Sequence, residues 1–569
     1  MNSVLLLIGA LVYFGVCYYF YGGFITRVFG VDPNRPTPAH TNFDKIDYVP
    51  TPSSVLFGHH FSSIAGAGPI VGPIIAAHFG WLPALLWILI GCVFVGAVHD
   101  FAALFLSVRN QGKSIGFIIE KLMGFVGRQL FLIFCWSCLI LVVAIFALLV
   151  AKTFVGNPSV ATASIIFIVF AVIFGFITNK TRCSLRNASL IFVPLLFISV
   201  YVSMLFPLDI KTWFGLTEAQ TMSVWMAFLA VYVLLASVVP VGYLLQPRDY
   251  LSSYLLYAML ILGVAGIIFY DPEIKMDAFK GFSVDMGAGN VNLFPTLFVV
   301  IACGACSGFH SLVASGTTSK QLDNEKNMLK VGYGAMIVEG ILGIMSLITV
   351  IYLADADFAT LSKNPAHAFA HGIGEFISGF GMPKDFAVVF ISLSISAFMM
   401  TSLDTATRLA RFCWQEFFTP SENKLEKEKE QSKFMVSRQE PSMFKKFIAN
   451  ALVASLIVVG LSFLMAQTGS AATVWPIFGA SNQLLAALTL LAVTLYLRTK
   501  KLNYHITFIP TLLMVTMSIW GLIEIIFQYL GKNSTIVGSA IFLICMAALL
   551  VILSLIVLRR HLKEMANKE

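Results

Sequence analysis

Residues 58–73 read GHHFSSIAGAGPIVGP, a stretch too apolar for an exposed loop and too rich in glycine and proline for an unbroken helix. Inside a helix, proline costs about 3 kcal/mol and glycine about 1 kcal/mol relative to alanine. Gly66, Gly68, Pro69, Gly72 and Pro73 therefore predict a backbone that opens in mid-span. Freed amides and carbonyls cannot be left in lipid, so such a break survives only where it is buried in protein or lines a watery cavity. The stretch is expected to be a membrane helix interrupted at a binding site.

The rest of the chain supplies the membrane setting. Of 569 residues, 58% are hydrophobic and only 12% charged, with a mean hydropathy of +0.85, which places the protein among all-α polytopic membrane proteins. Apolar runs predict about fifteen spans. The first lies at 3–24 and the last at 538–558, and those used below are 59–77, 82–106, 222–243, 251–270, 294–316, 331–354, 385–404 and 475–498. The run at 3–24 lacks a basic leader and a small-residue cleavage pattern and reads as a span, not a cleaved signal. When the chain alternates across the membrane, 30 of its 37 Lys and Arg residues fall on one side. That side is expected to be cytoplasmic, with the N-terminus outside and the C-terminus inside. The net charge of +8 then reports topology and not a nucleic-acid surface. Nine cysteines, scattered mostly through apolar runs, form no metal-binding spacing, and neither a cofactor nor a metal is expected.

A second interruption is expected in span 222–243, which ends in SVVPVGYLLQPRDY and would break at Pro240 and Gly242. Two broken spans of opposite direction, five spans apart, suggest a five-plus-five inverted repeat and alternating access. The halves would be 59–206 and 222–404. An extra helix (1–24), a cytoplasmic segment (25–58), a solvated cytoplasmic linker (405–446, containing NKLEKEKEQSKF) and C-terminal helices (447–569) would flank them.

At the first break Pro69 suits the opening turn of a second half-helix, leaving the amides around Gly66–Gly68 as free donors. Those amides and the positive end of the half-helix suit a carboxylate without a buried Arg or Lys, of which the span interiors hold no obvious example. Ser62, Ser63, Gly66, Ala67, Gly68, Pro69, Pro240 and Gly242 are the candidate substrate-lining residues.

Ionisable groups within spans are costly and are functional candidates. His59 and His60, His99 and Asp100, His310, Glu339, Asp404 and Glu524 are of this kind. Asp404 and Arg408 stand one turn apart in TSLDTATRLAR and are read as a structural lock or a gate. His59, His60, Asp100, His310, Asp404 and Arg408 gather toward the cytoplasmic side, where imidazoles and carboxylates can exchange protons, and are the candidates for proton coupling or gating. The alternative coupling ion is Na⁺, held by Ser311, Thr317 and Thr318 with carbonyls freed in span 59–77. Asn482 and Gln483 are read as packing residues. Asp100 and Asp404 could form a protease dyad, but no hydrolase motif accompanies them, and the chain is not expected to be an enzyme.

Six segments, HHFSSIAGAGPIVGP, GAVHDF, LLQPRDY, CSGFHSLVASGTTSKQL, TSLDTATRLAR and WPIFGASNQLLAAL, together resemble the signature stretches of the carbon starvation protein A family over most of the membrane region. The resemblance implies a LeuT-like inverted repeat of the amino acid-polyamine-organocation superfamily in a bacterial inner membrane. It also implies uptake of pyruvate with protons, or peptide use in starvation. The expected partner is therefore a small carboxylate, pyruvate ahead of peptides, with H⁺ as coupling ion, and association with a sensor protein remains open. Among motif residues the resemblance gives weight to His59, His60, Gly66, Gly68, Asp100, His310 and Asp404.

Overall fold

The computed structural model describes residues 2–45, 47–180, 184–240, 243–286, 289–420, 447–467 and 471–566. Helix α1 is Ser3–Phe29, and a bent pair follows, α2 (Ser53–Ile64) and α3 (Gly68–Phe79), turned by 47° at the break. Next come α4 (Trp81–Arg109), α5 (Ile115–Gly156), α6 (Pro158–Lys180), α7 (Leu185–Leu205), α8 (Glu218–Val238) and α9 (Leu245–Tyr270). An antiparallel hairpin, β1 (Ser283–Asp285) and β2 (Asn290–Asn292), leads into three short helices, α10 (Leu293–Val300), α11 (Ala302–Ala305) and α12 (Gly308–Val313). The longer helices that follow are α13 (Gly334–Ile351), α14 (Pro365–Ser378), α15 (Lys384–Phe417), α16 (Ala451–Gln467), α17 (Ala471–Thr499), α18 (His505–Tyr529) and α19 (Ser534–Ala566). Among the described residues, 12 helices are long and apolar enough to cross a membrane, or 13 with the bent pair. This is an all-α polytopic membrane protein.

The most apolar stretches of α15 and α17 are 89% and 94% buried against 28% for α1 and 33% for α19, so the former make the centre and the latter its lipid-facing rim. Two loop layers close the ends. In one, Ser3 N–H bonds the Pro272 carbonyl (3.4 Å) and Lys280 N–H the Phe79 carbonyl (3.0 Å). In the other, Thr51 N–H bonds the Gln321 carbonyl (3.0 Å) and Arg109 pairs with Glu325 (2.8 Å). The second layer is the basic one in the sequence partition.

The first break follows the expected chemistry. Ala65 leaves the helix at φ −72°, ψ 71°, and Pro69, with no N–H to lose, stands in the first turn of α3. The second break is elsewhere than expected. Helix α8 ends at Val238, and Pro240 is exposed in the connection to α9, while Gly242 lies outside the described residues. The residue before a proline is pushed out of the helical region, and Val239 is extended (φ −62°, ψ 141°), so this proline stops a helix at its end and does not open one midway. The interruption that faces α2 and α3 is in α10–α12, where Cys306 and Ser307 are extended (φ −164° and −124°).

Glycines let the two broken helices meet. A Cβ on Gly68 would lie 1.9 Å from the Cys303 Cβ, one on Gly72 2.5 Å from the Val300 carbonyl oxygen, and one on Gly308 2.4 Å from the Asn482 carbonyl oxygen. Helix ends also differ from expectation. Helix α1 continues to Phe29, stopped by Gly30 in the left-handed region, and α15 runs on to Phe417, so the linker expected from 405 begins as helix; its residues 421–446 lie outside the described residues.

Candidate functional site

The break in α10–α12 is held open by α17. Asn482 accepts from the Phe309 amide (2.9 Å) and donates to the Ser307 hydroxyl (3.0 Å) and the Cys303 sulfur (3.3 Å), while Gln483 donates to the Phe298 carbonyl. These amides replace the bonds that a continuous helix would have made. The packing role expected of Asn482 and Gln483 therefore has a specific target.

A chain of wholly buried ionisable groups runs beside this break. On α4, His99 Nδ1 and Asp100 Oδ1 are 2.8 Å apart, and Asp100 Oδ2 meets His310 Nδ1 on α12 at 2.7 Å. The other nitrogen of His310, Nε2, is 3.4 Å from Glu339 Oε2 on α13. The His310 ring also interacts with the backbone carbonyl of Ile64, the last residue of α2. His60 Nδ1 joins the Thr318 hydroxyl (2.8 Å). His60, Asp100 and His310, chosen from sequence, thus lie on the helices that meet at the two breaks, and His99 and Glu339 complete the chain.

A second cluster fastens α2 to α9 and α15. Asp404 accepts from the Tyr232 hydroxyl (2.7 Å) and pairs with the Arg248 guanidinium, which also donates to the Ala397 carbonyl (3.1 Å) and the Thr401 hydroxyl (3.2 Å). Next in sequence, Asp249 meets half-buried His59 at 3.3 Å. Ser402 donates to the Ser63 carbonyl (3.2 Å), and the Ser62 and Ser63 hydroxyls donate to the His59 carbonyl (3.1 and 2.8 Å).

Several expectations are corrected here. Asp404 points across to α8 and α9, so its partner is Arg248 and not Arg408; the Arg408 guanidinium sits over the Phe412 ring at 5.9 Å. The membrane interior does contain buried arginines, Arg248 and Arg128. Arg248 was hidden because LLQPRDY reads as a connection, whereas α9 begins at Leu245 and takes the arginine into its first turn. The signal available was its position within one turn of an apolar run. The Gly66 amide is not free, since it donates to the Ile64 carbonyl (2.8 Å). Asp100 and Asp404 belong to separate clusters and share no proton, which removes the protease geometry. The Na⁺ candidates are not overturned: the Ser311 and Thr317 hydroxyls donate to the Gly308 and Val313 carbonyls, Ser311 also meets Thr489, and Thr318 meets His60, which leaves oxygen lone pairs on them.

A cavity of ≈ 1980 Å³ opens toward the loop layer of Lys280, with Val71 of α3 and Val300 of α10 in its wall, flanking the Gly68–Cys303 contact. Its lining is apolar around Leu148, Met222 and Trp475, and carries Lys152, Lys280, Glu218 and Asp355 as well.

The sequence profile described as Carbon starvation protein CstA matches residues 2–365 and 359–521. The Peptide transporter CstA of Campylobacter jejuni is 32% identical over 598 residues, covering 94% of this chain and 82% of its own. The Pyruvate/proton symporter BtsT of Escherichia coli is 31% identical over 599 residues, covering 89% of this chain and 79% of its own. Among solved structures, a manganese transporter of Eremococcus coleocola aligns with 91% of this chain and 99% of its own at 11% identity and a TM-score of 0.46.

Proposed function

The chain belongs to the Carbon starvation protein CstA family, and we propose that this membrane transporter is a secondary active importer of a small carboxylate, pyruvate first, working by proton symport and alternating access. The observation that carries the reading is the contact between a buried proton-exchanging chain and a broken helix. Asp100 and His310 are 2.7 Å apart, and the His310 ring lies near the Ile64 carbonyl where α2 ends, with no full hydrogen bond from its Nε2. A proton gained or lost on that ring changes its attraction for a helix C-terminus, so protonation and the position of α2 are linked.

The cavity supports the route. Under the positive-inside rule the basic loop layer is cytoplasmic, so the cavity faces outward and its inner wall ends at the crossing of α3 with α10. The opening turn of α3 lies just behind the lining residue Val71, so a carboxylate would reach that helix N-terminus once the crossing opens, with the Gly66, Ile70 and Val71 amides already engaged.

Peptides are the second reading. The relative from Campylobacter jejuni is named a peptide transporter, and a cavity of ≈ 1980 Å³ whose lining carries Lys152, Lys280, Glu218 and Asp355 suits the two charged ends of a short peptide. The test is uptake into proteoliposomes of labelled pyruvate, with unlabelled di- and tripeptides as competitors and the pH gradient varied independently of Na⁺. Gradient-driven pyruvate accumulation supports the first reading. Absence of gradient-driven pyruvate uptake, with a labelled dipeptide accumulated instead, overturns it in favour of the second.

A further inference from the structure

Glu339 lies in the middle of α13, is wholly buried, and neither of its carboxylate oxygens has a hydrogen-bond partner among the described residues. Its ion-pair neighbour is His310 Nε2 at 3.4 Å, and the opposite nitrogen of that ring is held by Asp100 at 2.7 Å. The other titratable groups near it are Cys92 of α4 and Cys303 of α11, with His99 beyond Asp100 on α4.

Charge counting shows what this arrangement demands. With His99 and His60 uncharged, a single imidazolium at His310 balances Asp100, and an ionised Glu339 then has no counter-charge among the described residues. An uncompensated charge sealed from water is strongly disfavoured. The enclosed chain is neutral when Glu339 carries a proton and His310 and Asp100 form the ion pair. Cys303, within electrostatic reach of Glu339, packs on Gly68 at the crossing of the broken helices, so separation of that crossing would open a way for water toward the carboxyl.

We propose that Glu339 is the proton-binding site of the transport cycle, loaded and emptied through His310. The assignment rests on the proton-coupled reading above. In loading, the His310 imidazolium gives its Nε2 proton to ionised Glu339 Oε2, so that one N–H bond breaks as one O–H bond forms and the ring is left neutral with its Nδ1–H toward Asp100 Oδ2. A second proton taken up by the ring restores its ion pair with Asp100 and brings the chain to the neutral state, and emptying is the reverse. His99, against the other oxygen of Asp100, is the next group along the chain.

The test compares the unaltered protein with Glu339→Gln and Glu339→Asp in proteoliposomes, using labelled pyruvate in two assays. Accumulation driven by a pH gradient is expected to fall about ten-fold or more in Glu339→Gln, while exchange of labelled for unlabelled pyruvate at equal pH persists, because a neutral amide mimics the loaded form. Glu339→Asp is expected to regain part of the gradient-driven accumulation. Undiminished accumulation in Glu339→Gln overturns the proposal. An unaltered protein that accumulates substrate irrespective of the gradient overturns the coupled reading and this assignment with it. Infrared difference spectra without substrate supply an independent readout. The unaltered protein is expected to show the carbonyl stretch of a buried protonated carboxyl that Glu339→Gln lacks, and an unchanged band in that variant overturns the assignment whatever the substrate is.

Discussion

Gly68 and Cys303 touch where the two interrupted helices cross, so closely that a Cβ on the glycine would fall 1.9 Å from the Cβ of the cysteine. The thiol sulfur at 2.5 Å could swing aside, but the cysteine Cβ and its backbone Cα at 3.3 Å cannot, so relief requires the helices to part. Gly68→Ala is expected to lower stability by about 1–3 kcal/mol, read as a fall in melting temperature in detergent. Cys303→Gly in the same chain should recover much of the loss. A Gly68→Ala protein as stable as the unaltered one would contradict the close crossing.

Gly66 makes a different demand. Its Cβ would meet Phe146 Cζ at 2.9 Å and Ser402 Oγ at 3.0 Å, both side-chain and not backbone atoms. Gly66→Ala is therefore expected to fold and to weaken transport. Normal transport in both Gly66→Ala and Gly68→Ala would remove the break from the substrate site.

Arg248 and Asp404 form a buried pair, so removing either partner strands a charge. Arg248→Ala or Asp404→Ala is expected to cost about 3–5 kcal/mol, and the double variant Arg248→Met with Asp404→Leu less than either alone. Arg408→Ala should cost far less than Arg248→Ala. Melting temperatures of the four proteins check this, and equal losses for the two arginines would restore the pairing of Asp404 with Arg408.

Asn482 satisfies an amide, a hydroxyl and a sulfur at the second break. Asn482→Leu would leave the Phe309 amide and the Ser307 hydroxyl unpaired, at about 1–3 kcal/mol for each group. The expected signature is faster hydrogen exchange at residues 306–309 with little change in α19. Unchanged exchange there would show that other groups hold the break open.

Uptake is expected to collapse with a protonophore and to be indifferent to Na⁺, with Ser311→Ala and Thr317→Val retaining the response to the pH gradient. Strict Na⁺ dependence lost in Ser311→Ala would move the coupling site to the hydroxyls of α12.

Much of this was legible in the sequence because lipid makes the rules strict. The apolar runs outlined the helices, and glycine with proline at 66–73 marked a true break. The second break was misplaced because Pro240 is a stronger local signal than Gly304 and Gly308, whose meaning depends on what packs against them. His310 and Asp100 were visible as costly intramembrane groups. Their partnership was not, since it joins residues 210 positions apart. Arg248 escaped because a one-turn error in a helix start turns a buried cation into a loop residue, and without it Asp404 had only Arg408 in sight.

Helix α2 is only 12 residues long, yet it is tied by His59 to Asp249, by His60 to Thr318 and by the Ser63 carbonyl to Ser402. A rigid segment this short cannot release one tie and keep the others in good geometry. Halfway positions would leave several buried polar groups unmatched at once, each at about 1–3 kcal/mol, so they are scarcely populated. The segment is expected to act as a latch with two stops, and under the proposed proton symport such a latch would keep protons from crossing without cargo.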